Sequence, residues 1–153
     1  MARIVWLLRH GDAEPHGSRD DFERRLTARG ERQATAAGRA LARLEVKFEA
    51  VYCSPRVRAR DTALLACAEL GCAPVEDESL SGGFDARDAA ALLAPHRGAP
   101  AVMLVGHEPD LSGLVAAITG ARAEMKKGGL AAIRDRQLVE LLRPSEIELV
   151  AGL

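Results

Sequence analysis

The sequence predicts an α/β layer structure with a largely parallel central sheet, and three observations carry that prediction. Short, continuous apolar runs alternate with longer segments of helical periodicity. Three of those runs end abruptly in polar loops holding Arg, His, Ser and Gly. The chain has 153 residues, 48% hydrophobic and 28% charged, which suits one compact domain (1–153) able to bury roughly 68–70% of its unfolded surface.

Taken in order, Ile4-Val5-Trp6-Leu7-Leu8 is a short apolar run bounded by Arg3 and Arg9, the pattern of a strand buried on both faces. From Thr27 to Leu44 the apolar positions Ala34, Ala37, Leu41 and Leu44 recur at spacings of three and four, which predicts an amphipathic helix with Thr27 as its N-cap. Ala50 to Cys53 reads as a second strand. Ser54 and Pro55 are placed to open a helix that runs to Leu70 and stops at Gly71. Asp85 opens a short helix that Pro95 and Gly98 close, and Ala101 to Val105 is another buried strand. Pro109 starts a helix through Ile118. Leu130 to Ile133 and Leu138 to Leu142 flank the charged turn Arg134-Asp135-Arg136, as in a hairpin at a sheet edge.

Composition narrows the function. A net charge of −1 provides no general attraction to nucleic acid or an anionic membrane, so neither is expected as a partner and anion binding must be local. Only five apolar residues lie between Arg3 and Arg9, too few for a signal-peptide core or a spanning helix, and a cytoplasmic location is expected. Cys53, Cys67 and Cys72 make neither a CxxC pair nor a Cys/His zinc pattern. Their odd count suits a reducing compartment, and all three read as buried small hydrophobes.

The chemistry gathers in the loops after three strands: Arg9-His10-Gly11, Ser54-Pro55-Arg56-Val57-Arg58 and Gly106-His107-Glu108. Ligands of open α/β sheets bind outside the carboxyl ends of the strands, so two arginines and two histidines converge on one crevice. Arginine forks match phosphate oxygens, which makes a phosphate group the ligand this set suits.

These residues resemble a known family. Leu8-Arg9-His10-Gly11 matches the RHG motif of the histidine phosphatase superfamily, and Ser54-Pro55-x-x-Arg58-Ala59-x-x-Thr62-Ala63 matches its second arginine motif. Gly106-His107 matches its second histidine. Gly11-Asp12-Ala13, Leu26-Thr27-x-x-Gly30 and His107-Glu108-Pro109 look most like the bacterial SixA-type phosphohistidine phosphatases. The resemblance covers nearly the whole chain and implies a three-layer α/β/α sandwich of the phosphoglycerate mutase-like kind, working without metal or cofactor. It makes His10 a nucleophile that is transiently phosphorylated, with Arg9, Arg58 and a protonated His107 around the phosphoryl oxygens. Gly11 and Ser54 join the substrate-binding set. The substrate expected is a phosphorylated protein bearing phosphohistidine, or else a small phosphate ester, acted on by a monomer or weak dimer.

Larger superfamily members use an acidic residue to protonate an alkoxide leaving group, and no position here matches it clearly. Asp12, Asp21, Glu78 and Glu108 are the candidates. A leaving imidazole, with a pKa near 6.5, needs little such help. Arg56 and Arg60 read as solvated helix-face charges, His16 and His96 as surface residues. Lys126 and Lys127 sit in a solvated loop or receive an anionic group at the site's mouth. The competing readings are a phosphatase for small phosphomonoesters and a non-catalytic phosphate-sensing or protein-binding module.

Overall fold

The computed structural model describes residues 3–153. In chain order the elements are β1 (Ile4–Arg9), α1 (Ala28–Arg43), β2 (Ala50–Cys53), α2 (Val57–Leu70), β3 (Val75–Glu76), α3 (Ala86–Leu93), β4 (Ala101–Gly106), α4 (Asp110–Thr119), β5 (Leu130–Arg134), β6 (Gln137–Leu142) and α5 (Pro144–Ala151). The sheet runs β3-β2-β4-β1-β5-β6. Its first four strands are mutually parallel, while β5 and β6 close the other edge as an antiparallel hairpin.

Period-two alternation builds the layers, because successive side chains of a strand point to opposite faces. Trp6 and Leu8 on β1, with Met103 and Val105 on β4, pack against α1, α2 and α5. Val5 and Leu7, with Val102 and Leu104, pack against α3 and α4. A sheet buried on both faces needs apolar residues at every position, and β4 is buried from end to end. The result is the expected three-layer sandwich. No helix among the described residues is long and apolar enough to cross a membrane.

The structure moves several expected boundaries. Thr27 caps α1 as anticipated, its Oγ1 accepting the Gly30 N–H at 3.1 Å. Leu44, however, lies past the last turn and is exposed. Helix α2 opens at Val57 rather than at Pro55, because Arg56 keeps an extended backbone (φ −61°, ψ 135°) and stands as the residue before the first turn. Pro109 stands just ahead of α4 rather than inside it. Two elements were not anticipated. β3 is only two exposed residues and has no periodicity to show. α5 did leave signals: Pro144 at its first position, Glu146 accepting the Arg143 N–H at 2.9 Å, and Gly152 in the left-handed region with φ 78°.

His16 is exposed as expected. His96 is not a surface residue: its side chain is 13% exposed, with Nε2 2.7 Å from the Tyr52 hydroxyl and Nδ1 2.5 Å from Glu49. It ties the turn after α3 to β2.

Candidate active site

Three parallel strands end side by side. In the register of the sheet Arg9 is level with Gly106, and Cys53 with Val105, so His10, His107 and Ser54 emerge at adjacent positions. The ladder continues one step into the loops: His10 N–H donates to Gly106 O at 3.1 Å, and Ser54 N–H to Val105 O at 3.0 Å. Arg58 arrives from the first turn of α2. His10, Arg58 and His107 are each only 7% exposed, and Ser54 is fully buried. The imidazoles of His10 and His107 lie 5.3 Å apart, centroid to centroid, tilted by 55°.

The state of His10 follows from its partner. Nδ1 is 2.7 Å from the Gly11 carbonyl, and a carbonyl only accepts, so Nδ1 carries the ring proton and the Nε2 lone pair is free. Burial, aided by the nearby His107, Arg58 and Arg9 and opposed by the Gly11 hydrogen bond, lowers the His10 pKa to about 3. At neutral pH this ring is uncharged and nucleophilic at Nε2.

His107 has a different partner. Its Nε2 is 2.8 Å from Ser54 Oγ, which also accepts the Arg56 N–H at 3.2 Å. The Ser54 hydroxyl proton is therefore available to Nε2, leaving Nδ1 protonated and able to donate. Burial, then Arg58 and Arg56, lower the His107 pKa to about 4. The free site thus holds His107 neutral, and the protonated form expected from the sequence needs the negative charge of a bound phosphoryl group.

Arg9 donates from Nη1 to Met125 O at 2.9 Å, and Arg58 from Nη1 to Asp21 O at 2.8 Å. The Nε atoms of both arginines and Nδ1 of His107 are buried with no hydrogen-bond partner. Such donors are costly unless something satisfies them. Together they form a cationic, donor-rich cluster suited to an oxyanion with several oxygens. Among the described residues, no group of three or more His, Cys, Asp and Glu side chains is arranged to hold a metal ion.

Backbone lacing holds the His10 loop. Gly11 N–H donates to Thr62 Oγ1 at 3.0 Å, and the Thr62 hydroxyl donates to Arg58 O at 2.7 Å, so α2 grips the loop beside its own arginine. A Cβ on Gly11 would sit 2.6 Å from Gly30 O, which is why the loop and the start of α1 both use glycine. Gly128 N–H reaches His10 O at 2.9 Å, and Gln33 Oε1 accepts the Asp12 N–H at 2.8 Å. Gln33 was missed in the sequence, although a polar residue at position 33 on the buried stripe of α1 was a visible signal.

Three of the four candidate carboxylates are committed elsewhere. Asp21, in the 3-10 turn Asp21–Glu23, meets Arg24 at 3.0 Å, Arg56 at 2.7 Å and Arg58 at 3.3 Å. Burial would raise its pKa, but the charges of Arg58, Arg24 and Arg56 outweigh that and keep it below the usual carboxylate range. It organises arginines and is no reservoir of protons. Arg56 is accordingly not a solvated charge: besides Asp21 it donates to Ser81 O at 2.8 Å and lies over the Phe22 ring. Arg60 pairs with its neighbour Asp61 at the surface. Asp12 accepts the Thr27 hydroxyl at 2.7 Å and faces Lys127 at 3.6 Å. Both Glu108 oxygens are taken by the backbone N–H and hydroxyl of Ser112. Glu78 is exposed at the start of a 3-10 turn. Lys126 pairs with Glu124 at 2.9 Å.

Comparison with known proteins gives the family and the fold. The family model described as histidine phosphatase superfamily (branch 1) matches residues 5–82. An uncharacterized protein of Picosynechococcus sp. is 35% identical over 138 residues, covering 85% of this chain and 84% of its own. The protein histidine phosphatase SixA, solved with tungstate, superposes with a TM-score of 0.82 at 23% identity over 93% of this chain and 97% of its own. Mycobacterial glucosyl-3-phosphoglycerate phosphatase superposes with a TM-score of 0.69 at 20% identity over 86% of this chain and 89% of its own. The chain belongs to the histidine phosphatase superfamily and is a phosphatase.

Proposed function

We propose that this phosphatase removes the phosphoryl group from phosphohistidine on a protein, without a metal, through a phosphorylated His10. The carrying observation is the employment of the carboxylates. Asp21 is held by three arginines, Asp12 by Thr27 and Lys127, and Glu108 by Ser112. None of these three is free to act as the protonated acid that an alkoxide leaving group requires, and the remaining candidate, Glu78, is exposed to solvent at the start of a 3-10 turn. A phosphohistidine releases an imidazole of pKa near 6.5, which leaves with little assistance.

In the first step His10 Nε2 attacks phosphorus in line, the substrate P–N bond breaks, and the departing imidazole takes a proton from solvent. Arg9, Arg58 and His107 hold the equatorial oxygens, and the dianion draws a proton onto His107. In the second step water attacks the phosphohistidine of the enzyme, inorganic phosphate leaves, and His10 returns to its neutral form. Gly11 and Ser54 act through backbone and hydroxyl: Gly11 fixes the His10 tautomer and Ser54 that of His107. Fold alone does not select this substrate, since neighbours of the same architecture include a glucosyl-3-phosphoglycerate phosphatase.

Trapping the intermediate tests the reading. With a radiolabelled phosphohistidine protein, acid-labile and base-stable label is expected on the wild type, none on His10→Ala, and turnover unaffected by EDTA. Label on a serine or carboxylate, or activity lost to chelation and restored by a divalent cation, would overturn it.

A further inference from the structure

Cys72 departs from the sequence expectation: it is exposed, while Cys53 and Cys67 are buried. Its position is set by the end of α2. Gly71 takes the left-handed conformation with φ 70°, and the N–H groups of both Gly71 and Cys72 turn back onto the Cys67 carbonyl, Cys72 at 3.2 Å. This is the wrapped helix end in which the residue after the glycine folds over the side chain one turn earlier, normally as an apolar contact. Here both positions are cysteine. Burial, with the neighbouring Cys72 thiol adding to it, raises the Cys67 pKa well above the ordinary range. A disulfide spans Cα atoms about 4.4–6.8 Å apart, and a backbone hydrogen bond between the two residues holds them in close approach without rearrangement of the helix.

We propose that Cys67 and Cys72 form a peroxide-sensitive dithiol that closes to an intrachain disulfide at the C-terminus of α2. The exposed thiol reacts first. The Cys72 thiolate attacks hydrogen peroxide, an S–O bond forms as the O–O bond breaks, and a hydroxide leaves to be protonated to water, giving a sulfenic acid. Cys67 then attacks the Cys72 sulfur: the S–S bond forms, the S–O bond breaks, and the departing hydroxide takes the Cys67 proton. The balance is two thiols and one peroxide to one disulfide and two waters. Cys67 is the resolving residue because burial keeps its thiol protonated and away from solvent oxidant until its partner is activated. Cys53 takes no part, being buried at the end of β2 with its pKa pushed up to about 12 by burial. The ring closed is short, so loop entropy adds little stability and the bond should be readily reduced by thiols.

Mass spectrometry of the folded full chain after mild peroxide treatment tests this. Trypsin leaves both cysteines in one fragment, residues 61–87, and Cys53 in another. The expected result is a 61–87 fragment lighter by two hydrogens, refusing alkylation until reduced, with Cys53 still an alkylatable thiol. In Cys67→Ser, Cys72 should instead accumulate as a sulfinic or sulfonic acid or an interchain disulfide. In Cys72→Ser, Cys67 should stay reduced. Circular dichroism checks that both variants fold. If wild-type Cys72 is overoxidised or crosslinked between chains while Cys67 remains a thiol, the dithiol is not formed and the inference fails.

Discussion

The parallel half of the sheet and its antiparallel edge treat polar groups in opposite ways. The ends of β1, β2 and β4, with the first turn of α2 that follows β2, hold charged or titratable side chains, several with buried nitrogens that have no partner: Arg9 Nε, Arg58 Nε and His107 Nδ1. The edge formed by β5 and β6 contributes no such side chain, yet the segment leading into it supplies the backbone contacts of Met125, Gly128 and Gly129 that hold Arg9 and His10. One half carries the chemistry at a cost in stability, and the other keeps it in place. Reactive side chains can thus be few, provided their loops are fixed by main-chain bonds that do not depend on side-chain identity.

Substitutions on the two sides should separate accordingly. The largest effect is expected at Arg58→Lys, where losing the planar fork should cost about 10²–10³ in kcat with an unchanged circular dichroism spectrum. On the supporting side, Gly128→Ala forces a φ of +76° on a residue with a Cβ, which would meet Gln33 Cβ at 2.8 Å. It should lower stability by about 1–3 kcal/mol in urea unfolding and slow turnover as well. Glu140→Ala, on the exposed outer strand β6, should change stability by less than about 0.5 kcal/mol and leave kcat unaltered. Equal loss of activity at Gly128 and Glu140 would erase the distinction.

The comparison also predicts a pH dependence. His10 and His107 are depressed to about 3 and about 4, from an ordinary 6.5. Between those values and 6.5 the unfolded chain binds protons that the folded chain does not, so stability falls as pH is lowered through that window. Urea unfolding at several pH values between 4.5 and 7.5 should show this slope, and His10→Gln should flatten it. The same slope in the variant would mean that His10 does not titrate as described.

The legible part of the molecule was the part with local signals. Continuous apolar runs marked β1, β2 and β4, and the loops after them delivered Arg9, His10, Ser54, Arg58 and His107 to one place. What stayed hidden depends on partners distant in sequence. Asp21 is a plausible acid until Arg56 and Arg58 are found against it, and Arg56 is a helix-face charge until Asp21, Phe22 and Ser81 surround it. His96 reads as a loop histidine until Tyr52 and Glu49 are seen on its ring nitrogens. β3 has too few residues to show a period, whereas α5 had a proline start, a Glu at its third position and a glycine stop that marked it in advance.

Dependence on the leaving group tests most directly whether this site works without a general acid. Rates measured on phosphohistidine protein, aryl phosphates and alkyl phosphates should fall steeply in that order, since an unprotonated alkoxide leaves poorly. Asp12→Asn, Glu78→Gln and Glu108→Gln should each slow phosphohistidine turnover by much less than the about 10²–10⁴ that a positioned acid contributes. Efficient turnover of an alkyl phosphate, abolished together with phosphohistidine turnover by one of these amides, would show a dedicated acid and make small phosphomonoesters the substrate instead.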